Sequence, residues 1–352
     1  MRCVSWKTLL QPIDARFVRP QAQAPNLLGR IDRVVADQQL LPGNGNVGRQ
    51  VEDRRAGREV QQHQQAVVVQ RAREGVDLRV VVEDQVVLSG AFYMPLIRGV
   101  ETGVRESGFD LLIHSSVHTQ ANSAHLQLPL DEHNVDGLLI FTDRLTDAEI
   151  ARLYARGFPL VLLYRSAPSG LDIPYITLEN KAGAYNVVDH LITVHGKRRI
   201  AYLAGPPGNE DSLWREAGYR EALRAHDIPF DPSLVGVGMF DDVDGQAAVE
   251  AWLQQGLDFD AIFAGDDEAA SGSILALRRA GKRVPEDVAV AGFDDVPFAR
   301  MMVPPLTTVR APIETAGTIG ARLLINLIHL GEAQTVTRLP TELVIRQSCG
   351  CP

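Results

Sequence analysis

Val288-Ala289-Val290-Ala291-Gly292-Phe293-Asp294-Asp295 runs from a short apolar stretch into a glycine and two adjacent carboxylates, and Val303-Pro304-Pro305-Leu306-Thr307-Thr308-Val309 follows shortly after. This is the pattern of a buried strand that opens onto an acidic loop. In an open parallel sheet, ligands bind in the loops beyond the carboxyl ends of the strands, so paired carboxylates placed there act as acceptors for hydroxyl groups. The stretch points to a domain that senses a polyol-like ligand.

Outward from that run, strand-like and helix-like segments alternate regularly from about residue 76 onward, the mark of an α/β domain with a parallel sheet. Strand-like runs are Val80–Leu88, Leu111–His114, Gly137–Phe141, Leu160–Leu163, Arg199–Leu203, Ala261–Ala264 and Val288–Ala291. Helical patterns are Leu96–Ser107, Asp147–Arg156, Lys181–Val194, Leu213–Ala225, Gly245–Gln255, Glu268–Ala280 and Ile313–Leu330. Gly108, Gly157, Gly196 and Gly281 stand just past four of these helices, where a left-handed cap is least strained. So many units exceed what one small core holds, and two separate sheets are expected.

The chain has 352 residues, 45% of them hydrophobic and 22% charged, which is an ordinary globular composition. Its apolar runs fall short of the roughly 18 residues a spanning helix needs, and no secretory leader is legible, so a cytoplasmic protein without a membrane partner is expected. Cys3, Cys349 and Cys351 are too few for a disulfide framework, and the two tail thiols alone do not complete a four-ligand metal site. No metal and no cofactor are expected. The net charge of −9 argues against nonspecific nucleic-acid affinity over the whole surface while leaving room for a small basic module.

Residues 1–75 are unlike the rest. They are rich in Arg and Gln, as in Arg49-Gln50-Val51-Glu52-Asp53-Arg54-Arg55, carry almost no aromatic residues after Phe17, and can bury little apolar surface. Gly43-Asn44-Gly45-Asn46-Val47-Gly48 fits G-x-G-x-x-G, but the strand and helix that a dinucleotide site requires are missing around it.

Several blocks carry a family resemblance. His190-Leu191-Ile192-Thr193-Val194-His195-Gly196-Lys197-Arg198-Arg199-Ile200-Ala201-Tyr202-Leu203-Ala204-Gly205-Pro206 is similar to the core block of the lactose-repressor (LacI/GalR) regulators. Arg215–Leu223, Ala261–Glu268, Gly292–Val309 and Glu342–Cys351 are similar to further blocks of that family in the same order, so the resemblance spans roughly residues 85–352. It implies a periplasmic-binding-protein-like α/β fold: two doubly wound parallel-sheet lobes with three crossovers, expected near 164–175, 310–312 and 331–335. The N-terminal lobe then takes about 76–165 and 312–331, the C-terminal lobe about 175–310 and 335–347. The implied function is a sugar-responsive transcriptional regulator whose effector sits between the lobes and switches a homodimer on operator DNA.

The family's helix-turn-helix is not recognisable in residues 1–75. Three accounts stand side by side: a disordered basic arm, a stand-alone cytoplasmic sugar-binding protein without DNA binding, and a segment mistranslated from a wrong start codon or shifted frame ahead of Phe92. The abrupt start of the resemblance at Phe92-Tyr93-Met94-Pro95 favours the last, and translating the upstream frames tests it.

A sugar site needs carboxylates, amides or arginine at the rim and an aromatic plane beneath. Asp266 and Asp267 follow one strand, Asp294 and Asp295 another, and Thr142 and Asp143 a third. By resemblance, Asp266 and Asp294 face the ligand, whereas Asp267 and Asp295 are expected as a helix cap and a turn carboxylate. Phe92 and Tyr93 open the first helix, where the family places ligand contacts. Trp214 and Tyr219 lie on a helix that faces the cleft in the family, with core packing as the competing role. Arg165 ends a strand and offers a fork to vicinal hydroxyls or to a surface salt bridge. Tyr185 stands where many relatives carry a ligand-holding arginine, which favours a neutral ligand. His114, beside Ser115 and Ser116, is a further donor or a solvated loop residue. Catalysis is not expected: Ser271-Gly272-Ser273 lacks the leading glycine of a nucleophile elbow, and no HExxH or Walker loop occurs.

Overall fold

A computed structural model describes residues 67–71, 90–105, 107–113, 136–141 and 145–352. The expected strand Val80–Leu88, the Gly43–Gly48 motif, His114, Ser115, Ser116, Thr142 and Asp143 lie outside the described residues.

The strands are β1 (Val67–Arg71), β2 (Phe109–Ile113), β3 (Gly137–Ile140), β4 (Leu160–Leu163), β5 (Tyr175–Leu178), β6 (Ile200–Ala204), β7 (Val235–Val237), β8 (Ala261–Ala264), β9 (Ala289–Asp294), β10 (Thr307–Arg310), β11 (Val336–Leu339) and β12 (Glu342–Val344). The helices are α1 (Tyr93–Arg105), α2 (Asp147–Ala155), α3 (Asn180–Thr193), α4 (Glu210–Ala225), α5 (Asp242–Gln254), α6 (Asp267–Arg279) and α7 (Ile313–Leu330). They build two six-stranded sheets, ordered β11-β5-β4-β3-β1-β2 and β12-β10-β9-β8-β6-β7. This is the two-lobed α/β architecture that the sequence implies.

The inner strands are apolar throughout because helices cover both faces. Gly137-Leu138-Leu139-Ile140, Leu160-Val161-Leu162-Leu163 and Ala261-Ile262-Phe263-Ala264 are buried at every position; β4 runs parallel to β3 and β5, and β8 runs parallel to β6 and β9. Two strands break the expected parallel order. β1 runs antiparallel to both β2 and β3, and β12 runs antiparallel to β10. β12 is an edge strand that the chain enters directly from the other sheet, through Pro340 and Thr341 after β11.

Two of the three crossovers fall later than expected. The first sheet keeps β5 and the chain leaves it only at Glu179; the second passage is at Ala311–Pro312, as read; the third follows β11 at Pro340–Thr341 rather than near 331–335. Tyr175–Leu178 and Val336–Leu339 were not legible as strands because each is four residues long and interleaves Thr or Arg with its apolar positions.

Helices pack in pairs on these sheets through glycines that let backbones touch. A Cβ on Gly99 of α1 would stand 1.9 Å from the Glu314 carbonyl of α7, and one on Gly272 of α6 equally close to the Asp242 carbonyl of α5. The four glycines expected as left-handed caps adopt φ between 64° and 71° at Gly108, Gly157 and Gly196 and 74° at Gly281. Thr146 and Glu149 close α2 with a reciprocal capping box. No helix among the described residues is long and apolar enough to cross a membrane.

Candidate functional site

The carboxyl ends of the second sheet gather one half of the site around Arg215. This arginine sits mid-way along α4 and is buried. Its Nε donates to Asn180 Oδ1 at 2.9 Å and its Nη1 to the Gly265 carbonyl at 2.5 Å. Nη2 reaches Asp294 Oδ1 at 3.4 Å and lies 3.9 Å from Asp211. The guanidinium stacks 3.8 Å above the Phe293 ring centroid, with Phe240 at 5.3 Å. Asn180 in turn donates to Asp211 Oδ1 at 2.7 Å. A cation held on so many sides fixes Asp294 at the end of β9.

Asp294 carries φ of 106°, a region a side chain rarely enters, and it is buried. Burial pushes its carboxyl above the usual aspartate range while Arg215 pulls it back. Such a conformation persists only where the surrounding structure over-determines it, as the Arg215 array does for Asp294. Asp266 lies beside it and is buried too; it is the N-cap of α6, accepting from Ala269 N at 3.0 Å and Glu268 N at 3.2 Å. Burial and then the Asp294 charge raise its pKa.

The first lobe supplies aromatic planes. Phe92, Tyr93, Phe141 and Tyr164 form one cluster, with ring centroids 5.4–5.7 Å apart and Phe92 stacked on Phe141. Phe141 and Tyr164 directly follow β3 and β4. The Tyr164 hydroxyl is buried with no hydrogen-bond partner among the described residues. Its pKa is raised by burial and then by the Asp211 and Asp294 carboxylates of the second lobe.

Among the described residues, Ala91 and Ser166 make hydrogen bonds that bridge the lobes. Ala91 N donates to Glu268 Oε1 at 3.1 Å, and Ser166 donates from N and Oγ to the two Glu210 oxygens at 2.8 and 2.6 Å. Aromatic faces on one wall and a charged acceptor and donor array on the other suit a ring that carries hydroxyls around weakly apolar faces.

The expected site residues are divided by this geometry. Phe92, Tyr93, Asp266 and Asp294 come together in it. Trp214 stands exposed at the margin, its Nε1 3.4 Å from Glu210 Oε1. Tyr219 is instead a core residue: its hydroxyl donates to the Ile200 carbonyl at 2.8 Å, at the amino end of β6 and away from the cleft. Arg165 is turned onto its own lobe, donating to the Leu145 carbonyl and to Asp147 Oδ1 at 2.6 Å. Tyr185 packs half-buried against the core from α3. Thr142 lies outside the described residues.

Among the acids expected to be structural, Asp267 is buried and accepts from Thr308 Oγ1 at 2.5 Å and Val296 N at 2.9 Å. Asp295 pairs with Arg310 at 2.8 Å and with Arg346. The capping role assigned to Asp267 belongs to Asp266, one position earlier.

Sequence reasoning missed Arg215, Asn180, Phe141, Tyr164 and Phe240. Phe141, Tyr164 and Phe240 each come just beyond the end of a strand, the signal that marked Asp266 and Asp294. The same rule applied evenly would have found the first two, whereas β7 is too short and glycine-containing to mark Phe240. Arg215 had only its i,i+4 spacing from Asp211. The one group of His, Cys, Asp and Glu with metal-holding spacing among the described residues lies elsewhere, at the C-terminal tail.

Comparison with known proteins agrees with this frame. A model of the periplasmic binding protein-like domain matches residues 188–349. The HTH-type transcriptional regulator CelR of Thermobifida fusca is 34% identical over 288 residues, covering 80% of this chain and 83% of CelR. The ribose operon repressor of Halalkalibacterium halodurans is 31% identical over 74% of this chain and 76% of its own length. A solved CelR–cellobiose complex superposes with a TM-score of 0.70 at 33% identity, over 76% of this chain and 82% of that one. A LacI-family regulator from Enterococcus faecium with bound ribose superposes with a TM-score of 0.64 at 26% identity, over 76% and 96%. These relatives are regulators rather than enzymes and share the two-lobed frame over most of the chain; the chain belongs to the LacI/GalR family of transcriptional regulators.

Proposed function

We propose that the cleft between the lobes takes a neutral saccharide, and that its binding switches a homodimer whose output is operator DNA. The observation that carries the reading is the pairing of the Phe92–Phe141–Tyr164 wall with the Arg215–Asp294 array across one cleft. An aromatic plane binds the apolar face of a pyranose or furanose, and a buried carboxylate pinned by an arginine accepts from its hydroxyls. Arg215 is consumed by Asp294, Asn180 and Gly265, which leaves no free cation in this array for an anionic effector.

Switching requires that the sugar bind one lobe arrangement better than the other, since equal affinity for both moves nothing. The Glu268–Ala91 and Glu210–Ser166 bonds hold the lobes together in this arrangement. The CelR structure was solved with cellobiose and the Enterococcus regulator with ribose, so glucosides and pentoses head the panel to be screened.

A thermal-shift screen of the purified chain over neutral mono- and disaccharides tests the reading. A sugar at a hundred times its dissociation constant adds about 2.7 kcal/mol of stability. Stabilisation by sugar phosphates alone would overturn the neutral assignment. Light scattering reads the dimer directly. A second reading, a sugar sensor without DNA output, is favoured by the unrecognisable helix-turn-helix in residues 1–75. It predicts sugar binding with no sequence-dependent, salt-resistant gel shift on a palindromic operator.

A further inference from the structure

The two tail thiols, read from sequence as a free pair, have company in the fold. His190 is buried in the last turn of α3 and His195 follows in the loop beyond it. The C-terminal tail passes over both. Cys351 Sγ lies 3.3 Å from His195 Nε2 and 3.7 Å from His190 Nε2, and one ligand atom from each of His190, His195, Cys349 and Cys351 lies within 4.8 Å of the other three. We propose that these four side chains form a closed, structural binding site for a zinc-class divalent cation.

The geometry and the donor set agree. A tetrahedral zinc with bonds of about 2.0–2.3 Å separates its ligand atoms by roughly 3.3–3.8 Å, so the four groups need to close by only about 1 Å. Two thiolates and two imidazoles are the soft and borderline donors that select zinc over magnesium or calcium, and four protein ligands leave no open position for catalysis. The tail is built to deliver the cysteines. Ser348 Oγ donates to the Val290 carbonyl at 2.6 Å and accepts from Thr307 N at 2.8 Å, which fixes the residue before Cys349. Gly350 turns the chain between the thiols with φ of 109°, and a Cβ there would press on the His195 ring at 3.2 Å. The Thr307 hydroxyl lies 3.1 Å from Cys349 Sγ and 2.9 Å from the Arg346 carbonyl, so its one proton is shared between the tail backbone and the sulfur.

The site stands by the start of β10, whereas the sugar cleft lies beyond the carboxyl end of β9. Its consequence is a staple between the tail and α3.

The test uses the full chain, purified without a histidine tag, chelator or oxidant. Elemental analysis is expected to find about one zinc per chain, and cobalt(II) added to the stripped, reduced protein to give the visible bands of tetrahedral thiolate coordination. Cys351→Ser and His195→Gln are expected to lose the zinc and the bands, and Cys3→Ser to keep both. A strong chelator should lower the melting midpoint of the wild type and leave that of Cys351→Ser unmoved. Should a variant fail to fold, the wild-type cobalt spectrum still decides. Metal-free protein without cobalt bands, a Cys349–Cys351 disulfide in protein purified without oxidant, or zinc retained in Cys351→Ser would each overturn the site.

Discussion

Asp294 combines backbone strain with burial, and in the proposed site it is a ligand-facing residue. Its φ of 106° costs free energy in a side-chain-bearing residue, and burial adds a further cost to its charge. Arg215 keeps Asn180, Gly265 and Asp211 as partners when Asp294 is removed. Asp294→Gly, which suits the backbone, is therefore expected to melt within about 1 kcal/mol of the wild type yet lose its thermal response to sugar. A full sugar response in that variant would remove Asp294 from the site. Asp266 offers a separate test through pH. Its folded pKa is raised by burial and by Asp294, so the folded chain holds this proton more tightly than the unfolded one. The associated stability is fully present below the ordinary aspartate pKa of about 3.9 and is lost as pH rises through the raised folded value. Asp266→Asn keeps the cap acceptor and cannot titrate. Urea unfolding across that window should show the wild type gaining on Asp266→Asn as pH falls, and a constant difference would show that Asp266 is not raised.

At the level of elements, stability rests on tight joins that sequence shows unevenly. Asp267 ties α6 to the loop after β9 and to β10 through Val296 N and Thr308 Oγ1. Asp267→Ala strands both donors in the interior and is expected to cost about 2 kcal/mol in denaturant unfolding, partly offset because a buried charge is removed with them. Gly99→Ala must separate α1 from α7 to admit one methyl group, at about 1–3 kcal/mol. An unchanged unfolding midpoint in Gly99→Ala would mean the helices are free to part. The helices were legible because they span several turns of apolar periodicity, with a glycine stop after each except α4, where Asp227 takes the left-handed position. Inner strands such as Leu160–Leu163 were legible because burial on both faces writes a continuous apolar run. β5, β11 and β12 were not, since three- or four-residue strands with Thr, Arg or Glu among their positions leave no periodic signal, and two crossovers were misplaced with them. The site divided the same way. Asp294 could be read from its place after a strand, whereas Arg215 and the histidines facing the tail thiols depend on packing between segments far apart in the chain.

For the whole molecule, the proposed switch makes the bonds between lobes part of effector affinity. The Ala91 amide donates to Glu268 across the cleft, joining the loop that opens α1 in one lobe to the first turn of α6 in the other. If the lobes part, that amide turns to water and the bond is lost, so its free energy belongs to the closed arrangement alone. A sugar gripped by both walls also favours closure, and its apparent affinity is the intrinsic affinity scaled by the closed fraction. Deleting the Glu268 carboxylate should therefore weaken sugar binding without touching a sugar contact. A charge-assisted hydrogen bond with a net worth of about 1.4 kcal/mol corresponds to a tenfold change in an equilibrium constant. Glu268→Ala is expected to raise the dissociation constant several-fold, with that factor of ten as the upper limit, in calorimetry, with the unliganded melting point little changed and the unliganded molecule more extended in solution scattering. Loss of stability with affinity unchanged would place the Glu268–Ala91 bond in both lobe arrangements and remove it from the switch.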